Sequence, residues 1–252
     1  MKLIEGLHDR ESFTAERGVY LLGDARELIR EVPTGSVDAV VTDPPWGVYV
    51  KEDPYDDFNA FLELRDELYR VMKPDSWLVF FFTPKKIYEV TAYLEKFTYK
   101  WMIPYLFLGY GSGSRTPLGS ETTYSIVMLF AKGEPKVAVK RKDTVVADEL
   151  PVVAENVREP QFKPTFVVAT LLTMFTRPGD LVLDPFAGYG SIPLVCELFG
   201  RRWIAFDIDP VKFQIAGKII RDRRVYNISR LKRELANRRD VKTHRLEEFG
   251  GG

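Results

Sequence analysis

An acid, two prolines and a tryptophan follow one another in the stretch Asp43-Pro44-Pro45-Trp46. A carboxylate accepts N–H bonds, a proline ring fixes the direction of the backbone, and an indole stacks on planar rings. They directly follow the apolar run 37–42, at the carboxyl end of a predicted strand, which is where open α/β sheets bind ligands. In isolation, a motif of this size is more often a strand-ending turn with an exposed Trp, so its meaning depends on the rest of the chain.

A second constellation lies at residues 184–191, with the sequence Asp-Pro-Phe-Ala-Gly-Tyr-Gly-Ser. Gly188 and Gly190 let the backbone turn tightly against a nucleoside ligand, and the following helix supplies free N–H donors. A dinucleotide site is the rival interpretation, but the third glycine of that fingerprint is missing. Asp207 ends the next strand and suits two ribose hydroxyls, whereas Asp209, before a proline, suits a helix cap.

Alternating apolar strands and amphipathic helices position both constellations. Strands are predicted at 18–22, 37–42, 77–82, 181–183 and 202–206, with an antiparallel pair at 101–108 and 122–131. Helices are predicted at 25–30, 61–71, 84–97, 165–176, 191–199, 211–221 and 229–239. This order predicts an α/β fold with a mostly parallel sheet between two helical layers. In such sheets ligands bind at the carboxyl ends of strands, where both constellations fall.

Composition narrows the class of protein. The 252 residues are 45% hydrophobic and 29% charged, which is typical of a globular protein, and no apolar run reaches the ~18 residues of a membrane helix. There is no signal-peptide pattern, and the single cysteine, Cys196, excludes an internal disulfide, so we expect a cytoplasmic protein. His8 and His244 give no metal-site spacing. Sparse Asn and Gln with abundant Lys, Arg and Glu are typical of thermophiles.

Charge is unevenly distributed in a chain of net charge zero. Residues 218–245 contain eleven basic and three acidic side chains, which gives this tail +8 and the remainder −8. A basic tail indicates a polyanionic partner or, equally, a solvated helix face with internal ion pairs. We divide the chain into a domain at 1–217, with a short insertion at 133–160, and a basic helical tail at 218–252.

Together the two motifs resemble those of the S-adenosylmethionine-dependent amino-methyltransferases of nucleic acids. Their order, with Asp43-Pro44-Pro45-Trp46 first, resembles that of the circularly permuted β group. Further similarities are Leu22-Gly23-Asp24-Ala25, Tyr124 at the start of a strand, and Lys163-Pro164 before an apolar helix. The family's usual His-Pro-Thr before Lys-Pro is absent. The resemblance covers about residues 18–217 and implies a permuted, Rossmann-like class I fold that methylates adenine N6 or cytosine N4.

The resemblance also implies roles for individual residues. Asp43, Pro44, Pro45 and Trp46 would be catalytic: Asp43 and the Pro44 carbonyl would accept the amine N–H groups, and Trp46 would stack on the base. The cofactor would be held by Asp24, Asp43, Lys163, Asp184, Phe186, Ala187, Gly188, Gly190 and Asp207, with Asp207 on the ribose and Asp24 on the adenine amine. The base and phosphates would meet Trp46, Tyr124, Arg115, Lys140, Arg141 and Lys142.

Purely structural roles are the alternatives for two of these side chains and the expectation for Cys196. Tyr124 is equally explained as a core aromatic, Lys163 as a solvated lysine, and Cys196 is a small core residue rather than a nucleophile. No metal is expected.

The sequence predicts the type of nucleic acid less firmly than it predicts the reaction. Only Gly133–Glu159 separates the last strand pair from Lys163-Pro164, which is too short for a separate recognition domain. RNA is often recognised by shape, so this gap favours structured RNA such as rRNA. DNA is the alternative, and a noncatalytic nucleic-acid-binding relative is disfavoured by the intact motifs. Many cytosine-specific members carry Ser in place of Asp43, which favours adenine.

Overall fold

One nine-stranded sheet organises the chain. The computed structural model describes residues 10–47, 54–107, 119–120, 123–141, 145–147, 162–226, 228, 230–233 and 235–236. The strands are β1 (Ser12–Thr14), β2 (Gly18–Leu22), β3 (Val37–Thr42), β4 (Met72–Phe82), β5 (Thr98–Phe107), β6 (Tyr124–Lys132), β7 (Val145–Ala147), β8 (Leu181–Asp184) and β9 (Arg202–Asp207). The helices are α1 (Ala25–Leu28), α2 (Phe58–Leu62), α3 (Arg65–Val71), α4 (Ile87–Tyr93), α5 (Thr165–Phe175), α6 (Ser191–Leu198) and α7 (Pro210–Asp222).

The order of strands in the sheet is β1-β2-β9-β8-β3-β4-β6-β5-β7. The five strands from β2 to β4 are parallel, whereas β6 runs antiparallel to both β4 and β5. The predicted mostly parallel sheet with an antiparallel pair towards one edge is therefore confirmed. Because parallel strands point the same way, β2, β9, β8 and β3 all deliver their final residues to one edge.

The core consists of two apolar layers on opposite faces of the sheet. Along β3, Val41 lies in one layer and Val40 in the other, as the alternation of a strand requires. The first layer contains the buried faces of α5, α6 and α7, and the second contains those of α1, α2, α3 and α4. This is the predicted three-layer arrangement.

Two helices and three strands differ from the predictions. The helix predicted at 61–71 is two short helices, α2 and α3, and β4 begins at Met72, directly after α3, rather than at the predicted residue 77. Pairing with β3 and β6 extends this strand back across a polar stretch that has no strand pattern of its own. The helix predicted at 84–97 is a 3-10 turn followed by α4, which ends at Tyr93. The short strands β1 and β7 were not predicted, since three residues carry no periodic signal.

The chain after β9 packs onto the first layer of the core. Helix α7 continues through the predicted boundary at 217/218 to Asp222, and beyond it Ile228 and Leu231 are buried. The division into a domain and a tail remains a prediction. Within the described part of the chain, no helix is long and apolar enough to cross a membrane.

Candidate active site

The predicted site residues meet at the carboxyl edge of the parallel strands. Asp43 directly follows β3, Asp184 ends β8 and Asp207 ends β9. Leu22 pairs with Asp207, so Asp24 emerges beside it from the end of β2. The two constellations, far apart in the chain, are therefore brought to one place by the parallel pairing of β3, β8 and β9.

Asp43 has one occupied and one free carboxylate oxygen. Lys163 Nζ lies 2.7 Å from Asp43 Oδ2. The other oxygen, Oδ1, is buried and has no hydrogen-bond partner among the described residues. Burial raises the pKa of Asp43, and the adjacent ammonium of Lys163 opposes that rise by favouring the ionised form. A buried acceptor without a hydrogen-bond donor costs free energy of folding. This oxygen is therefore available to accept an N–H from a ligand.

Lys163 is a buried lysine that joins three of these groups. Besides its ion pair with Asp43, its ammonium lies 5.1 Å from the centroid of the Trp46 ring and 5.5 Å from that of Phe81. Its side chain is buried, which excludes the interpretation as a solvated lysine. A buried ammonium must be paired, and here a carboxylate and two aromatic faces compensate it.

Trp46 is held at both its ring and its backbone. Its Nε1 donates to the carbonyl of Phe81 at 3.3 Å. Its backbone N–H donates to Asp56 Oδ1 at 2.6 Å, and that of Gly47 donates to the same oxygen at 2.8 Å. Asp56 is buried, and sequence reasoning missed it. The stretch at 51–57 contains four acidic residues, and nothing in their spacing distinguishes this one.

The two glycines of the second motif have different surroundings. Both have positive φ, +54° at Gly188 and +80° at Gly190. A Cβ at Gly188 would meet nothing within 4 Å, whereas one at Gly190 would lie 2.9 Å from Ile220 Cδ1 in α7. Gly188 therefore borders open space where a ligand can approach, and Gly190 permits close packing of α7. Tyr20 in β2 holds this loop, since its Oη donates to the Gly188 carbonyl at 2.6 Å.

Asp207 and Asp184 are carboxylates in low-dielectric surroundings. Asp207 accepts the N–H of Gly188 at 2.7 Å and that of Asp209 at 2.8 Å, and burial raises its pKa to about 6. Asp184 Oδ1 accepts the hydroxyl of Thr42 at 2.7 Å, and burial raises the pKa of Asp184 to about 8. The other oxygen of Asp184 is buried and has no hydrogen-bond partner among the described residues.

Three further cofactor candidates, Asp24, Phe186 and Ala187, make contacts within the protein. Asp24 caps α1 by accepting the N–H of Arg26 at 2.8 Å, and the Arg26 guanidinium lies 2.6 Å from its Oδ2. This hydrogen-bonded pair lowers the pKa of Asp24. Phe186 packs edge-on to Phe61 at 6.2 Å, and Ala187 N–H donates to the Phe206 carbonyl. The predicted adenine contact of Asp24 stays a prediction.

Two sequence assignments, the helix cap at Asp209 and the core position of Cys196, are confirmed. Asp209 accepts the N–H of Val211 at 2.7 Å and caps α7, as predicted. Cys196 is fully buried inside α6, and burial raises the pKa of its thiol well above the usual range. Among the described residues, no group of His, Cys, Asp or Glu is arranged to hold a metal ion.

The substrate candidates are only partly brought together. Tyr124 begins β6, and the antiparallel pairing with β4 places it at the same edge as Asp43. It is 41% exposed, which excludes a core role. Lys140 and Arg141 are exposed and follow Ala138, whose N–H donates to the Met174 carbonyl near the far end of α5. Arg115 and Lys142 lie outside the described residues.

Comparison with known proteins relates the sequence to methyltransferases. The model of the N6_N4_Mtase family, described as DNA methylase, matches residues 37–218. Type II methyltransferase M.HpaI of Haemophilus parainfluenzae is 23% identical over 78% of this chain and 72% of its own length. M.BamHI of Bacillus amyloliquefaciens is 26% identical over 78% of this chain, but the match spans only 56% of that relative's length.

Two solved structures show the same fold. The cytosine-N4-specific PvuII DNA methyltransferase superposes with a TM-score of 0.66 at 19% identity, covering 89% of this chain and 94% of that one. The complex of M1.HpyAVI with S-adenosylmethionine superposes with a TM-score of 0.63 at 21% identity, covering 81% and 98%. At these identities the likeness concerns the fold alone.

Proposed function

The chain belongs to the N6_N4_Mtase family of DNA methylases, and on that basis we propose that it transfers the methyl group of S-adenosylmethionine to an exocyclic amino group of a base in DNA. The observation that carries the proposal is Asp43 Oδ1, a buried acceptor that lacks a donor among the described residues. It belongs to a carboxylate whose partner, Lys163, lies 5.1 Å from the centroid of the Trp46 ring. An exocyclic amine supplies the missing N–H, and its base supplies a planar face for the indole.

Asp43 and the Pro44 carbonyl each accept one N–H of the target amine. Two such bonds draw the nitrogen towards tetrahedral geometry and direct its lone pair at the methyl group. The proline ring keeps the carbonyl direction constant. A new N–C bond forms as the S–C bond breaks, the sulfonium becomes a thioether in S-adenosylhomocysteine, and the amine then loses a proton to solvent. No covalent enzyme intermediate is required.

The pocket beside Gly188 fits the cofactor. When bound, S-adenosylmethionine supplies an electrophilic methyl group on a sulfonium. Gly188 leaves open space next to the carboxylate of Asp207, which would accept the ribose hydroxyls. Asp184 has a buried oxygen without a hydrogen-bond partner in the described structure, which suits the amino group at the methionine end. Phe186 and Ala187 would line the same pocket.

DNA replaces RNA as the favoured substrate. The short gap at 133–159 suggested RNA, but the family is described as DNA methylase, and the matched relatives are named as DNA or type II methyltransferases. These comparisons give the RNA preference no support and favour the alternative. The basic segment with Lys140 and Arg141, together with the tail, would contact phosphates without reading sequence. Tyr124 would cover the base from the side opposite Trp46.

Adenine N6 is the target that we propose. It follows from the carboxylate at position 43, where many cytosine-specific members of the family carry Ser. Either base must leave the stack to reach a recessed carboxylate.

The test is methyl transfer from labelled S-adenosylmethionine to whole-genome-amplified DNA and, separately, to total RNA, followed by nucleoside mass spectrometry. Amplified genomic DNA is free of prior methylation and contains almost every short recognition sequence. We expect label in N6-methyladenine of DNA. Label in neither pool would refute methyl transfer, label in RNA alone would refute the DNA assignment, and N4-methylcytosine would refute the choice of base. The Asp43→Asn variant serves as the inactive control.

A further inference from the structure

The carboxylate of Asp56 closes the turn that carries the catalytic motif. Its Oδ1 accepts N–H bonds from Trp46 at 2.6 Å and from Gly47 at 2.8 Å. Two successive backbone N–H groups that converge on one anion form a nest, a backbone arrangement that usually binds phosphate or another external anion. Here the anion comes from the protein itself. Charge-assisted bonds of this kind are about twice as strong as neutral ones.

The local backbone is shaped for this contact. Gly47 has φ +64°, a conformation that other residues adopt only with strain. A Cβ at this position would lie 3.0 Å from both Lys86 Nζ and Phe58 Cβ. Lys86 and Phe58 therefore enclose the turn tightly at Gly47, and the shape of the turn depends on these neighbours.

Asp56 is itself rigidly attached to the sheet. Two residues later, Phe58 is buried with its ring 5.6 Å from that of Phe82 at the end of β4. Between them, Asp57 caps α2 by accepting the N–H of Asn59 at 3.0 Å. Through Asp56, the backbone that follows the two prolines is therefore connected to β4 of the sheet.

The motif is fixed at three points as a result. β3 holds it before Asp43, the Phe81 carbonyl holds the indole of Trp46, and Asp56 holds the backbone after Pro45. The charge of Asp56 is also close enough to add to the rise in the pKa of Asp43 that burial causes. Catalysis by orientation requires that the amine acceptors and the stacking ring keep one mutual geometry.

We infer that Asp56 is a positioning residue for methyl transfer, which acts through Trp46 and Gly47 to aim the 43–46 turn at the target amine. The inference rests on the proposed function. Asp56 Oδ1 acts on the backbone of the turn and not on the proposed cofactor site at Gly188, so its loss should lower the rate of the bound complex and leave the affinity for S-adenosylmethionine unchanged. A carboxylate that merely closed a surface loop would change stability alone.

The experiment compares Asp56→Asn and Asp56→Ala with Asp57→Asn, which neutralises the exposed neighbouring acid in the same loop. The kcat for DNA methylation is measured at saturating DNA and cofactor, and the Kd for S-adenosylmethionine by calorimetry. We expect Asp56→Ala to lower kcat about 100-fold, the scale of a misplacement near 1 Å. The carboxamide oxygen of Asp56→Asn still accepts both N–H groups but carries no charge, so its kcat should fall by more than about twofold and by no more than about tenfold. Asp57→Asn should keep kcat within about twofold, since Asn caps a helix about as well as Asp.

Two results would overturn the inference. One is a kcat within about twofold of wild type for both Asp56 variants; the other is a loss of cofactor affinity equal to the loss of kcat. Asp56→Asn preserves shape, so it decides the matter if Asp56→Ala does not fold. Failure of the proposed function is distinguishable, because it would leave the wild-type protein itself without transfer to DNA.

Discussion

The ammonium of Lys163 lies 2.7 Å from Asp43 Oδ2 and 5.1 Å from the ring centroid of Trp46. It thereby connects the segment before α5 with the motif that follows β3. The pair engages Oδ2 and leaves Asp43 Oδ1 without a hydrogen-bond partner among the described residues. The positive charge of Lys163 favours the ionised form of Asp43 in a site of low dielectric constant. The second carboxylate oxygen remains available to accept a hydrogen bond from a substrate.

Asp43→Asn should lower methylation of DNA by at least about 100-fold, because an oriented charged acceptor is replaced by a neutral amide. Binding of S-adenosylmethionine should remain within about threefold, since the pocket at Gly188 is unchanged. Single-turnover kinetics and calorimetry measure the two quantities. An Asp43→Asn enzyme with wild-type turnover would contradict the mechanism.

Lys163→Met should shift the acid limb of the pH–kcat profile to higher pH. Lys163 lowers the pKa of Asp43 against the effect of burial, so its removal raises that pKa. Activity that requires ionised Asp43 is present above the pKa and lost below it, and the loss therefore begins at a higher pH. Lys163→Arg keeps the charge and should restore most of the wild-type profile. An unmoved acid limb in Lys163→Met would show that the ion pair does not control Asp43.

Substitution of the two glycines of the second motif should have different effects, on fold stability at Gly190 and mainly on cofactor binding at Gly188. Gly190→Ala places a Cβ 2.9 Å from Ile220 Cδ1 at φ +80° and should destabilise the fold by about 2–4 kcal/mol in urea unfolding. Gly188→Ala meets no atom of the described structure within 4 Å, so only its positive φ should cost stability, about 1–2 kcal/mol. The methyl group at Gly188 instead enters the proposed cofactor pocket and should weaken S-adenosylmethionine binding at least tenfold. Equal effects of both variants on binding and stability would refute this division.

Asp184 should make the ligand-free protein less stable as pH rises. Burial raises the pKa of Asp184 to about 8, far above that of an unfolded Asp, so the folded state binds the proton more tightly. The stabilisation is fully present below the unfolded pKa and is lost as pH increases towards 8. Asp184→Asn keeps an acceptor for the Thr42 hydroxyl and cannot ionise, so its unfolding free energy should fall less between pH 5 and about 8 than that of wild type. Parallel curves for the two proteins, measured by denaturant unfolding, would contradict the assignment.

The meeting of three strand-ending acids at one edge of the sheet could be predicted from local sequence patterns. Asp43, Asp184 and Asp207 each directly follow or end an apolar run, and the rule that parallel strands deliver their ends to one edge predicted their proximity. The Asp209 cap was predictable for the same reason, since the cap and its helix are adjacent in sequence. The thermophile-like composition has no counterpart in the fold and stays a prediction.

The sequence alone determined the α/β class, the order of the two motifs and the edge at which they meet, because apolar periodicity and turn residues act over a few positions. Only the tertiary structure decided that Lys163 pairs with Asp43, that Asp56 holds Trp46, and that Gly190 serves packing while Gly188 borders open space. These contacts depend on how separate segments pack in three dimensions. No local pattern encodes them, since any of several acids, lysines or glycines would satisfy the same pattern.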